Sequence, residues 1–144
     1  MGKVKVGVIG CGSIAKNRHF PEYDAHQETE IIAVCDIVLD RANAAAQRYG
    51  AQAYTDYIEL LKNEEIEAIS VCTPNYLHAR ITVAALEAGK HVLCEKPMAT
   101  SLVDAEKMNA AAAKSGKILM IGHNQRFVPS HQKAKQLIES GELG

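Results

Sequence analysis

Apolar positions in this chain fall into short, nearly continuous runs, separated by longer stretches with helical spacing. Val4 to Ile9, Glu30 to Cys35, Ala68 to Cys72, His91 to Cys94 and Ile118 to Ile121 are rich in Val, Ile and Cys and predict five strands. Their apolar residues run on instead of alternating with polar ones, which predicts burial on both faces. Helices are predicted between and after them. Ser13 to His26 carries Pro21, expected to bend or end the helix. Asp40 to Tyr49 is alanine-rich and stopped by Gly50. Thr55 to Lys62 is short, and Tyr76 to Ala88 ends at Gly89. Ser101 to Lys114 ends at Ser115-Gly116 and opens with Ser101 and Asp104 spaced as a capping box. Ser130 to Ser140 is the last helix. Strands alternating with helices imply right-handed crossovers, a parallel sheet and helices on both faces, which is the doubly wound α/β (Rossmann) architecture. No linker, low-complexity segment or repeat interrupts the pattern, so residues 1–144 read as one domain.

Composition narrows the possible partners. The formal net charge of -1 and the absence of a Lys/Arg run argue against nucleic acid or an anionic membrane surface. No apolar run approaches the roughly 20 residues that span a bilayer. Met1-Gly2-Lys3-Val4 runs straight into a strand with no secretory leader. Position 6 is Val6, which breaks a myristoylation motif. A cytoplasmic protein is the expectation. Cys11, Cys35, Cys72 and Cys94 form no C-x-x-C pair, and each lies in or beside a predicted strand. They read as buried free thiols in a reducing compartment, with no metal site.

The first strand runs into Gly10-Cys11-Gly12-Ser13-Ile14-Ala15, a G-x-G-x-x-A loop between strand and helix. In such a loop Gly10 permits the tight turn, Gly12 lets backbone approach a pyrophosphate, and Ala15 keeps the helix close to the sheet. The helix start then offers unpaired N–H groups and partial positive charge. Asp36 follows at the end of the second strand, about 20 residues beyond the loop, where an acid can accept from the ribose hydroxyls of NAD and repel the extra phosphate of NADP. The expected cofactor is NAD rather than NADP; Arg41 is the nearby cation that would argue the other way. S-adenosylmethionine enzymes use a similar loop and acid, so residues further along must decide.

The third strand ends in Thr73-Pro74-Asn75, with Tyr76, Leu77 and His78 after it. The fourth runs through Gly89-Lys90-His91-Val92-Leu93-Cys94 into Glu95-Lys96-Pro97, and the fifth is followed by Asn124, Arg126 and Phe127. In a parallel sheet these strand ends share the ligand-binding edge. With these motifs the chain closely resembles the glucose–fructose oxidoreductase / inositol dehydrogenase / MocA (Gfo/Idh/MocA) family over essentially its whole length, the Glu95-Lys96-Pro97 motif in its Gly-Lys-His-Val-Leu-Cys setting being the most specific part.

That resemblance implies reversible hydride transfer between a sugar or polyol alcohol and a nicotinamide cofactor. It implies Lys96 as the catalytic lysine, hydrogen-bonded to the reacting oxygen. Glu95 would contact the nicotinamide ribose, and Pro97 would fix the peptide geometry after Lys96. Thr73, Pro74 and Asn75 would line the cofactor cleft, with His78 nearby, beside Gly10, Gly12, Ser13, Ile14, Ala15 and Asp36. Asn124 and Arg126 would sit near the nicotinamide. On the residues alone, His78 reads equally as a packing residue at a helix start, His91 as structural, and Tyr23 and Tyr76 as packing. Family members are usually over twice this length, carrying a second α/β domain that forms most of the substrate pocket and mediates oligomers. The chain, ending in Gly141-Glu142-Leu143-Gly144, therefore reads as the N-terminal, cofactor-binding part of a homo-oligomeric enzyme, with little turnover of its own. A non-catalytic dinucleotide-binding or redox-sensing module is the alternative, since fold does not fix function.

Overall fold

The computed structural model describes residues 2–143; Met1 and Gly144, the outermost residues of the two terminal motifs, lie outside the described residues. Six strands form one sheet: β1 (Val4–Ile9), β2 (Thr29–Cys35), β3 (Gln52–Tyr54), β4 (Ala68–Val71), β5 (His91–Cys94) and β6 (Leu119–Ile121). Their order is β3-β2-β1-β4-β5-β6, and every neighbouring pair is parallel. The helices are α1 (Phe20–Ala25), α2 (Leu39–Tyr49), α3 (Tyr57–Leu61), α4 (His78–Glu87), α5 (Leu102–Ser115) and α6 (Pro129–Glu139).

Side chains leave a strand on alternate faces, so a two-sided core needs apolar residues at every position. In β1, Val6 and Val8 point to one face, packing with Ala15 and Phe20 of the first connection and Ala45 of α2. Ile9 belongs to the other face, with Leu60 of α3, Ile81 and Leu86 of α4 and Met108 of α5. Each fully buried large side chain, such as Phe20, Leu60, Leu86 or Met108, contributes about 1.5–3 kcal/mol of transfer free energy. These two cores, one on each side of the sheet, are the doubly wound arrangement expected from the sequence.

Four local expectations need correction. Strand β3 falls in a stretch read as a connection; only three residues long and incompletely buried at the sheet edge, it leaves no period to read. Pro21 does not end its helix. A π-helical turn, Ala15–His19, precedes it, and the Phe20 N–H reaches back to the Ala15 carbonyl. Proline has no N–H and its ring crowds the carbonyl one turn earlier, so the widened turn accommodates it and α1 continues to Ala25. The capping box is only half formed: Ser101 Oγ accepts from the Asp104 N–H at 3.1 Å, but the Asp104 carboxylate takes the Ser101 hydroxyl at 2.8 Å instead of the Ser101 N–H. The helix expected from Tyr76 begins with a 3-10 turn, Asn75–Leu77, before α4. At the far edge, α6 buries no residue and Met120 of β6 is exposed. No helix of the described residues is long and apolar enough to cross a membrane.

Candidate cofactor-binding site

The carboxyl ends of the strands open on a cleft of about 700 Å³, whose lining includes Gly10, Gly12, Asp36, Arg41, Thr73 and Pro74. The crossovers to either side of β1 run to opposite faces, so the connections part here and leave a crevice.

The two loop glycines have different reasons for being glycine. Gly10 has φ +98°, and its N–H donates to the Cys35 carbonyl at 2.7 Å. A β-carbon on Gly10 would lie 2.6 Å from the Cys72 carbonyl oxygen. This residue is squeezed between the ends of β2 and β4, and the fold itself requires it. A β-carbon on Gly12 would meet nothing within 4 Å. The space over it is open cleft, as a backbone that must be approached by a ligand requires. Ala15 is fully buried and seats the helix on the sheet. Ser13 accepts from Asn17 at 3.0 Å and Ile14 is 37% exposed; the amides of such a first turn have no partner within the helix.

Asp36 is 8% exposed and its carboxylate is partly committed. One oxygen accepts the Cys11 N–H at 2.9 Å, bracing the glycine loop, and the other accepts the Val38 N–H at 2.9 Å, closing its own turn. Each carboxylate oxygen has a second lone pair to offer. Thr73 Oγ1 is buried and has no hydrogen-bond partner among the described residues. Thr73 and Pro74 line the cleft, whereas Asn75 starts the exposed 3-10 turn and does not.

His78 takes the packing position that the residues alone also allowed: it is fully buried beneath the loops, with Nδ1 2.7 Å from the Pro97 carbonyl and Nε2 2.9 Å from the Thr73 carbonyl. Each ring nitrogen thus lies within hydrogen-bond distance of a backbone carbonyl. His78 thereby ties the loop after β4 to the loop after β5 and touches no ligand itself. His91 accepts the Ile118 N–H on Nδ1 at 3.1 Å and is structural.

The loop after β5 carries Glu95, Lys96 and Pro97, with a cis bond between Lys96 and Pro97. Glu95 is held on both oxygens: Oε1 lies 3.0 Å from His19 Nε2, and Oε2 accepts the Lys96 N–H at 3.1 Å. Lys96 is exposed, and its ammonium has no hydrogen-bond or ion-pair partner among the described residues. Asn124 opens an exposed 3-10 turn after β6. Arg126, expected near the nicotinamide, instead lines a separate recess with His131, Lys135 and Glu139 of α6. The turn it rides on packs on α6.

Sequence reasoning missed His19, and it missed the outer cleft wall. That wall holds Tyr57, with the Arg80 guanidinium 5.9 Å from its ring centroid, and Ile37, 89% exposed. An apolar residue directly after the strand-end acid was a readable signal for Ile37. His19 belongs to no motif. Among the described residues no group of three or more His, Cys, Asp or Glu could hold a metal ion.

All four thiols are free and buried behind the site. Burial pushes Cys11 and Cys35 up to about 12, with the Asp36 charge adding to each, and Cys94 up to about 11. Burial raises Cys72 as well. An unfolded thiol ionises near about 8.5. Below that value neither state loses these protons; above it only the unfolded chain does, so stability falls as pH rises from about 8.5 toward 11–12. The expected result is that none of the four reacts with a thiol reagent at pH 8 until the chain unfolds, when all four do. Rapid labelling of native protein would contradict it.

Comparison with known proteins agrees with this geometry. Residues 4–123 match the family model described as the oxidoreductase family with the NAD-binding Rossmann fold, Gfo/Idh/MocA. The chain is 36% identical over 144 residues to inositol 2-dehydrogenase of Salmonella typhimurium, covering 98% of this chain and 43% of the relative. A 3-ketoreductase from Actinomadura kijaniata, in complex with NADP and TDP-benzene, superposes with a TM-score of 0.91 at 36% identity, over 99% of this chain and 44% of that one. A dehydrogenase from Bordetella pertussis, in complex with NADH and UDP-GlcNAcA, gives a TM-score of 0.91 at 30% identity, over 99% and 41%. The chain thus spans less than half the length of the proteins it matches.

Proposed function

This chain belongs to the Gfo/Idh/MocA oxidoreductase family, and from that premise we propose that its cleft binds NAD(H) in preference to NADP(H) for hydride exchange with a sugar or polyol alcohol. The observation that carries the reading is the pairing of open space over Gly12 with a strand-end Asp36 on one cleft wall and the unpaired Thr73 hydroxyl on the other. The pyrophosphate would lie over Gly12 and the first-turn amides of Ser13, Ile14 and Ala15. The free lone pairs of Asp36 would take the adenosine ribose hydroxyls, with Ile37 beside the base. Thr73 and Pro74 would border the cofactor, and Glu95 would hold the nicotinamide ribose. When bound, the nicotinamide gives or accepts the hydride. Lys96, whose ammonium is unpaired, would hydrogen-bond the reacting oxygen and hold or release its proton. Asn124 would lie at the nicotinamide end; Arg126 would reach it only by leaving its recess beside α6.

Residues 1–144 are read as the nucleotide-binding domain of a cytoplasmic, homo-oligomeric enzyme whose substrate-binding α/β domain lies outside this chain. The relatives' names support the substrate class: one acts on inositol, and another is bound to a sugar nucleotide.

Arg41 favours a second reading for the cofactor. It lines the same cleft as Asp36, and the 3-ketoreductase neighbour was crystallised with NADP. Calorimetric titration of the chain with NADH and with NADPH separates the two. Saturable binding with NADH the tighter is expected. Tighter NADPH would move the specificity role from Asp36 to Arg41, and no binding of either would overturn the cofactor reading.

A further inference from the structure

The Glu95 carboxylate is the end of a line of polar side chains running into the protein. Tyr23 OH lies 3.0 Å from Ser70 Oγ, Ser70 Oγ lies 2.8 Å from His19 Nδ1, and His19 Nε2 lies 3.0 Å from Glu95 Oε1. Ser70 is fully buried and His19 is 8% exposed. Donor and acceptor chemistry orders the line. An ionised carboxylate only accepts, so His19 Nε2 carries the hydrogen. With that single ring hydrogen on Nε2, Nδ1 accepts from the Ser70 hydroxyl. Ser70 in turn accepts from the Tyr23 phenol. Every proton is used once and every polar atom of the line is paired, in one direction, toward Glu95.

The backbone supplies the aim. The π-helical turn Ala15–His19 turns both Ala15 and His19 inward while Lys16, Asn17 and Arg18 remain exposed. A π turn holds an extra residue per turn and rotates the downstream side chains relative to a regular helix. Pro21, two residues further on, gives that turn its local cause.

We infer that His19 is a positioning residue, fixing the Glu95 carboxylate for the nicotinamide ribose, with Ser70 and Tyr23 holding the imidazole in the tautomer the task requires. This rests on the proposed role of Glu95 at the cofactor. His19 and the Lys96 N–H take one lone pair on each oxygen and fix the plane of the group. The remaining lone pairs are left for two hydroxyls of a ribose.

The test is a double-mutant cycle on this chain, read by calorimetric titration with NADH. Glu95→Ala is expected to weaken binding about tenfold and His19→Phe by a similar factor, while the double variant is no weaker than Glu95→Ala alone. His19→Gln, which keeps a donor, is expected to recover most of the loss. A structural histidine would weaken binding equally in both backgrounds, and multiplying effects would overturn the inference. So would full affinity in His19→Phe. A readout without ligand separates this from the functional reading. The Lys96 amide proton, hydrogen-bonded to Glu95, is expected to move upfield in the NMR spectrum of His19→Phe. If the parent chain binds no dinucleotide, the cofactor reading fails, and the amide still decides: a shift supports His19 as the residue that orients Glu95, and an unmoved resonance overturns it.

Discussion

Gly10→Ala is expected to lower the thermal midpoint of this chain by about 10 °C and to abolish dinucleotide binding, whereas Gly12→Ala should leave the midpoint nearly unchanged and lose binding alone. The two residues sit in one loop, yet they face different obstacles. An alanine at Gly10 must hold φ near +98°, which costs an L-residue about 1–2 kcal/mol. Its β-carbon would also sit 2.6 Å from the Cys72 carbonyl, a backbone atom at the end of β4 that cannot swing aside. Forcing such a contact adds about 1–3 kcal/mol. For a domain of this size each kcal/mol moves the midpoint by about 2–4 °C, which sets the expected drop. An alanine at Gly12 touches nothing, so its stability change should stay within about 0.5 kcal/mol. It would occupy the space a pyrophosphate needs, and affinity for NADH should fall by at least about tenfold. Scanning calorimetry and titration on both variants check the pair. An unfolded Gly12→Ala, or a Gly10→Ala as stable as the parent, would reverse the assignment of fold and ligand roles within the loop.

That division could not be read from G-x-G-x-x-A, which marks both glycines alike. The wider fold was more legible because burial on both faces leaves its own trace. Val6, Val8 and Ile9 must all be apolar when each faces one of two cores. The edges obey no such rule, and β3 at one edge went unread. Motif reasoning found the residues that the cleft gathers from different strands, Gly12, Asp36 and Thr73, since parallel strands carry their ends to one side. It did less well where a side chain's direction depends on neighbours far away in sequence. His78 sits in a motif but points down, because the Pro97 and Thr73 carbonyls claim both of its nitrogens. His19 sits in none, and it faces Glu95, 76 residues away in sequence, a pairing that no local spacing reveals. Arg126 is drawn to α6, an element whose packing the sequence pattern does not specify.

Lys96→Ala, made in a chain that joins this domain to a substrate-holding domain, is expected to lower kcat by about 10²- to 10⁴-fold while leaving NADH affinity within about twofold. The split arises from the geometry. Glu95, the nearest carboxylate in sequence, is turned toward His19 and the Lys96 N–H, and it makes no ion pair with the Lys96 ammonium. The ammonium is left free to meet a reacting oxygen, and the backbone N–H that helps orient Glu95 survives truncation of the side chain. Binding and chemistry therefore lie on separable atoms of one residue. Lys96→Arg should not restore turnover, since a guanidinium keeps its proton throughout the neutral range and cannot exchange it with an alcohol. No NADH absorbance is expected when polyols and NAD are added to the present chain, because hydride transfer needs the substrate held in near-attack geometry. Steady-state kinetics of the joined protein, with cofactor affinity measured separately, decide the matter. A Lys96→Ala variant that turns over at the parent rate would remove the lysine from the chemistry and leave the cleft as a dinucleotide sensor.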